Sequence, residues 1–328
     1  MANFVQILED YSMINRVLIR IKVIQILYSY YKGNCGSIEN AEKELFFSLG
    51  KTYEMYFYLL MLVNEITVYA QKRIEKEENK FITTPEDKKQ SRKFVNNRFV
   101  KQLSENLKMK EYVEEHSLSW EQHEALIKEL YSVITASDAY KEYMQSAEFS
   151  YQQDKDLWRA LFKGVLSDNE MLGKELEEMS IYWNDDADVV VSFIVKTIKL
   201  FEESEGEKQD LIHMFRDDED RIFARDLLRN SLYNEKEYRD LVNAHTTNWD
   251  TDRIAFMDII IMQAALAEIC NFPSIPVNVS MNEYIEITKL YSTAKSGNFI
   301  NGILDAIVMD LRKDNKIIKA AIYTDNAK

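Results

Sequence analysis

Residues 280–305 read SMNEYIEITKLYSTAKSGNFINGILD, and their pattern decides the fold class. Ser280 and Glu283 stand at capping-box spacing, so the sequence predicts a helix starting at Met281. That helix breaks near Ser292, where a run of small polar residues carries a single cation, Lys295. A second helix resumes around Asn298, with Phe299 in its first turn. A bend of this kind offers a cation, side-chain amides, free backbone N–H groups and an aromatic face, the chemistry that suits a phosphate backbone and unstacked bases. The same residues also describe a plain helix hairpin whose Phe299 is core.

Composition extends the helical reading to the whole chain. Only 8 glycines and 3 prolines occur in 328 residues, too few for the turns of a strand-rich fold, so long helices with short connections are expected. Neither GxGxxG nor GxxxxGK[ST] is present, which sets aside the two commonest nucleotide-binding architectures. The length allows one large or two ordinary domains. Cys35 and Cys270 are far apart and no secretory signal precedes them, so reduced thiols and a cytoplasmic location are expected. The longest apolar runs, such as Tyr56 to Val63, are too short to span a bilayer.

The formal charge of −14 speaks against nucleic acid only if it is evenly spread. It is not. Residues 13–38 hold Arg16, Arg20, Lys22 and Lys32 and no acid, whereas residues 39–248 hold 29 basic and 43 acidic residues.

Outward from the bend, residues 1–12 read as a short leader, with Met13 an alternative start. From Ile14 an apolar stripe at three- and four-residue steps (Val17, Leu18, Ile21, Ile24, Tyr28) predicts a helix, with Arg16 and Arg20 one turn apart on another face. Gly33 to Ser37 ends it, and residues 41–79 follow as a long helix lined by Leu45, Tyr53, Tyr56 and Leu60. Lys88, Lys89, Arg92, Lys93, Arg98, Lys101, Lys108 and Lys110, with Phe94 and Phe99 interleaved among them, read first as a solvated linker and helix face neutralised internally. The alternative is a stacking surface for single-stranded nucleic acid. Residues 111–206 continue helical, with Trp120, Trp158, Phe162 and Trp183 as core. No histidine has Glu three residues before it, so a carboxylate di-metal centre is not expected. Acids at 217–220 open another helix in the sense the dipole favours, and Asp250 or Thr251 is placed to cap the helix that runs to Cys270.

These pieces together resemble the NusB family of bacterial transcription antitermination factors. Arg16 to Tyr28 (RVLIRIKVIQILY) is similar to the family's first helix, which ends in Gln-x-Leu-Tyr. Trp249 to Arg253, Ala267-Glu268, Pro273, Pro276, Asn282-Glu283 and Phe299-Ile-Asn-Gly-Ile-Leu-Asp305 resemble its closing pattern, and Phe223 to Leu228 a central helix. The resemblance implies an all-α fold, a NusB-like pair of small helical bundles with a large inserted helical region. The core would be residues 13–48 and 219–320, the insertion 49–218, and residues 1–12 and 321–328 terminal extensions. It further implies a non-catalytic factor, without cofactor or metal, that binds boxA RNA of ribosomal leader transcripts together with NusE, a small-subunit ribosomal protein, and joins the RNA polymerase elongation complex through other Nus factors. Carried over by position, Arg16, Arg20, Lys295, Ser296, Asn298, Phe299 and Asn301 would meet RNA, and Tyr28 and Glu268 would face NusE. Familiar members have three successive arginines where this chain has Arg16, Val17 and Leu18, and an acid where it has Lys295. RNA binding is therefore expected to shift toward the bend.

Two other function classes stand beside this reading. NusB-like domains also precede RNA methyltransferases, but the glycine-rich cofactor loop and Pro-Cys pair of those enzymes are missing here. A helical protein–protein adaptor in ribosome biogenesis without boxA binding is the remaining alternative.

Overall fold

The computed structural model describes residues 12–33, 36–78, 92–246, 255–293 and 296–319, and among them every regular element is a helix. The chain is all-α. An isolated bridge between Ser12 and His213 is the extended pairing seen. Among the described residues no helix is long and apolar enough to cross a membrane. Clustering of the backbone divides the chain into two compact units, one made of residues 14–49 and 217–328, the other of residues 1–13 and 50–216.

The first unit contains α1 (Arg16–Tyr31), the opening turns of α2 (Ile38–Glu78), α10 (Asp218–Tyr233), α11 (Glu235–His245), α12 (Phe256–Asn271), α13 (Val277–Tyr291) and α14 (Ser296–Lys313). The second holds the rest of α2, then α3 (Arg98–Glu105), α4 (Leu107–Glu115), α5 (Glu124–Ala136), α6 (Asp138–Gln145) and α7 (Tyr151–Leu161). A π turn (Phe162–Leu166), α8 (Glu170–Met179) and α9 (Ala187–Leu200) complete it.

In the first unit α12 is the centre, because its sequence is apolar all round and such a helix has no face for water. Ile260 to Ala267 and Ile269 are buried, and α1, α10, α11, α13 and α14 all pack on it. Local chemistry sets the helix starts. Asn15 Oδ1 accepts from Leu18 N at 3.0 Å, Ser37 Oγ from Asn40 N at 3.2 Å and Asp217 Oδ1 from Glu219 N at 2.9 Å, as short polar side chains do at an amino-terminal cap. The expected capping box is a different structure. α13 begins at Val277 behind Pro276, whose carbonyl accepts from Val279 N and Ser280 N. Ser280 thus lies a turn inside the helix, and its hydroxyl and the Glu283 carboxylate are directed at other helices. The expected caps Asp250 and Thr251 lie outside the described residues.

The second unit is built on α2, whose aromatic residues continue into a buried cluster with Trp120, Trp158 and Trp183. The indoles of Trp120 and Trp183 donate to Tyr58 O at 2.9 Å and Lys51 O at 2.7 Å, which satisfies the polar edge of a large buried ring. Phe94 and Phe99, the stacking candidates, are fully buried, and Phe94 packs 5.3 Å from Tyr140 and 5.7 Å from Trp158 between ring centroids. Lys93 is buried as well, donating to Tyr143 O at 2.7 Å and Ser146 O at 2.9 Å. Arg98 pairs with Glu203 at 2.9 Å and Lys108 with Asp210 at 2.5 Å. Arg98 and Lys108 are neutralised by acids as expected, but Lys93 is buried on backbone carbonyls and not on a solvated face, and Lys88 and Lys89 lie outside the described residues. A nucleic-acid platform on Phe94 and Phe99 is excluded because the core needs their rings.

Several closing contacts join segments far apart in sequence. Gln102 Nε2 donates to Glu202 O and Gly206 O, both at 2.9 Å, and Asn106 Nδ2 to Gln209 O at 2.7 Å. Lys155 Nζ donates to Phe201 O at 2.7 Å and Lys199 O at 3.2 Å, satisfying carbonyls at the end of α9. Truncation of Phe94 to Ala is expected to cost about 3–5 kcal/mol of stability through the cavity it leaves, as measured by urea titration.

Candidate nucleic-acid interface

The two arginines of α1 have different environments. Arg20 is 3% exposed and closes on the fully buried Glu268 with two hydrogen bonds, Nε to Oε2 at 2.7 Å and Nη2 to Oε1 at 2.8 Å. Ser280 donates to Glu268 Oε1 at 2.7 Å, Tyr284 donates to Oε2 at 3.2 Å, and Glu283 stands 3.5 Å from Arg20 Nη1. Burial pulls the Arg20 pKa down, but the hydrogen bond and charge of Glu268, with Tyr284 and Glu283, outweigh it, so the guanidinium stays above its ordinary value. Burial, then Glu268, pushes the Tyr284 phenol well up, so it remains a neutral donor. Arg20 and Glu268, expected at the RNA and NusE faces, are instead partners in the interior. A charge withdrawn from water needs a close counter-charge and filled hydrogen-bond positions, and each supplies this for the other.

Arg16, one turn earlier, has a side chain 36% exposed and lies 3.5 Å from Asp220 and 3.8 Å from Glu219. Its guanidinium sits 5.1 Å from the centre of the Phe223 ring. It remains at the surface, with its field partly cancelled by the acids that open α10.

At the other end of α1 the surroundings are aromatic. Tyr28, 38% exposed, has its ring 5.8 Å from Phe256, and Lys32 Nζ stands 5.5 Å from Tyr28 and 5.1 Å from Phe256. Gln25 Nε2 donates to Tyr291 OH at 2.9 Å. The bend after Tyr291 is tied to the same place. Ser292 Oγ donates to Asp258 in the first turn of α12 and lies in hydrogen-bond contact with Ser296 Oγ at 2.9 Å, and Thr293 Oγ1 shares a 2.9 Å hydrogen bond with Ser296 Oγ. Ser296, expected on the RNA face, is 6% exposed and closes the bend, since a buried hydroxyl needs protein partners. Asn298 is exposed and Phe299 and Asn301 are half-buried on the opening turns of α14, which starts at Ser296. Lys295 lies outside the described residues.

Helix geometry fixes how these parts are spaced. Arg20 meets Glu268 while the bend meets Asp258, ten residues earlier on α12, a separation of about 15 Å along the axis. The bend therefore sits beside the Tyr28 and Lys32 end of α1, not beside the arginines as a single compact surface would require. What sequence reading missed is Lys32 with Phe256. The step from Tyr28 to Lys32 is the i, i+4 spacing of helical neighbours and was available as a signal. Phe256 was not, because only the tertiary fold brings it there. Among the described residues no group of His, Cys, Asp or Glu is placed to hold a metal ion.

A family model described as NusB family matches residues 188–309. The transcription antitermination protein NusB of Salinibacter ruber is 34% identical over 132 residues, which cover 38% of this chain and 82% of that protein. The corresponding protein of Desulfatibacillum aliphaticivorans is 39% identical over 97 residues, 30% of this chain and 68% of its own length. A solved structure of T. maritima NusB matches 42% of this chain and 85% of its own at 25% identity, with a TM-score of 0.27.

The Arg20 site yields a stability test. Glu268→Ala strands a buried guanidinium and is expected to cost about 3–5 kcal/mol, whereas Arg20→Met combined with Glu268→Ala costs less than the two single changes added together. A double-mutant cycle in urea measures the coupling.

Proposed function

Since this chain belongs to the NusB family, we propose that it is a non-catalytic RNA-binding antitermination factor that holds boxA RNA together with NusE. Through other Nus factors it would act on the RNA polymerase elongation complex. The proposed core is residues 13–48 and 219–320, which fall within the compact unit of residues 14–49 and 217–328 but for Met13, with residues 49–218 as a helical insertion into which the family match, starting at residue 188, extends. One observation carries the RNA site: the first turn of α12 holds the Ser292–Ser296 bend through Asp258 and presents Phe256 beside Lys32 of α1. Aromatic faces beside cations and amides are what a single strand of RNA uses for stacking and phosphate contact.

Within that site Lys295, Asn298, Phe299 and Asn301 contact the strand, and Lys32 adds a further charge. Arg16 offers a separate phosphate contact at the far end of α1. Tyr28 faces NusE. Arg20, Glu268 and Ser296 support the reading only indirectly, by holding the helices and the bend in register. The adaptor reading draws on the neutralisation of both arginines by acids of the same unit.

A gel shift separates the two. BoxA RNA is expected to bind, to outcompete a scrambled RNA of equal length, and to bind more tightly when cognate NusE is present. In a salt titration Lys295→Ala is expected to lower the slope of log affinity by roughly one unit or slightly less. Equal binding of boxA and scrambled RNA, with no gain from NusE, would leave only the adaptor.

A further inference from the structure

The second unit carries a groove that the reading above does not use. Its cavity of about 670 Å³ lies between the carboxyl-terminal half of α2 and the opening of α5. Val68, Tyr69, Trp120 and Ile127 line it, and Val68 is 45% exposed. The two walls run side by side in the same direction. Trp120 Nε1 donates to Tyr58 O at 2.9 Å, and further along Tyr131 packs its ring 5.5 Å from Tyr69 and 5.8 Å from the Arg73 guanidinium.

That alignment sorts the charges by position. Glu65, Glu121 and Glu124 lie toward one end, and Lys72, Arg73 and Lys76 toward the other. Glu65 is half-buried and burial raises its pKa, with Lys72 opposing and Glu121 adding to the shift, whereas Glu121 and Glu124 are exposed to solvent. From Glu65 to Lys76 the wall measures about 16 Å, or three helical turns. The groove is thus apolar along its floor, negative at one end and positive at the other.

We propose that this groove docks an amphipathic helix of a partner protein, lying antiparallel to α2 with an acidic first turn at Lys72 and Lys76 and a basic last turn at Glu65 and Glu121. Charge complementarity selects this occupant. Helices in general place acids in their first turn and bases in their last, and only the antiparallel direction brings both ends against opposite charges. It also sets the dipole of the docked helix against that of α2. The apolar stripe then meets Val68 and Tyr69, the usual arrangement of a helix in a groove. A continuous anionic strand such as RNA does not fit, because three carboxylates occupy half the length.

The test uses the full chain and two labelled helix-forming peptides of about 14 residues, a length that covers the groove. Both carry the same leucine stripe; one has an acidic first turn and a basic last turn, the other the reverse. Fluorescence anisotropy is expected to show the acid-first peptide binding roughly tenfold more tightly or better. Lys72→Glu with Lys76→Glu should remove that preference, and Val68→Asp should weaken both peptides, with circular dichroism verifying that each variant is folded. BoxA binding should be unaffected in all of them, which separates this site from the RNA reading. Equal affinity for the two peptides, binding of neither, or displacement of the peptide by RNA would overturn the assignment.

Discussion

The ion pair between Arg20 and Glu268 holds the first unit in register. Two hydrogen bonds from the guanidinium and one each from Ser280 and Tyr284 occupy the acceptor positions of the carboxylate, so α1, α12 and α13 are joined at one buried point. A partner lies 248 residues from Arg20 in sequence, and a charge that has left water tolerates no slip of a turn along either helix. That register places Tyr28 and Lys32 against Phe256, and it brings Gln25 to Tyr291 at the approach to the bend. The candidate surface is a consequence of where an interior charge found its counter-ion.

The two arginines show why a cation in sequence is an ambiguous sign. Arg16 and Arg20 are one turn apart and would be neighbours on any isolated helix. Both guanidinium groups lie over the Phe223 ring, but packing separates their roles: Arg20 closes on carboxylates of α12 and α13, while Arg16 lies at the start of α10 beside Asp220 and Glu219. The basic run near Phe94 makes the same point in the other unit, where Lys93 serves helix carbonyls and Phe94 fills the core.

Helical class was legible because it depends on local quantities: few glycines and prolines, apolar residues at three- and four-residue steps, and the break at Ser292. The bend appeared where the residues placed it. The Ser280–Glu283 cap was misleading, since capping spacing says nothing of a buried carboxylate twelve residues earlier that needs the serine hydroxyl more. Glu268 could not be recognised as interior either, because an acid on an apolar helix reads as surface until its arginine is known. Family resemblance supplied residue correspondence, but correspondence carries no information on which side chains the rest of this particular chain has enclosed. Phe256 and Lys32 were invisible as a pair for the opposite reason, being unremarkable singly and joined only by packing.

The long-range closures of the second unit bear on its synthesis. The amides of Gln102 and Asn106 find their carbonyls at residues 202–209, and the ammonium of Lys155 waits for residues 199 and 201. At translation rates of roughly 5–20 residues per second, α3 and α4 leave the ribosome about 5–20 s before their partners exist. During that interval Phe99 has no Phe201 to pack against, and the nascent segment presents apolar surface to whatever is near. Growth of this polypeptide therefore includes a period in which a chaperone has something to hold.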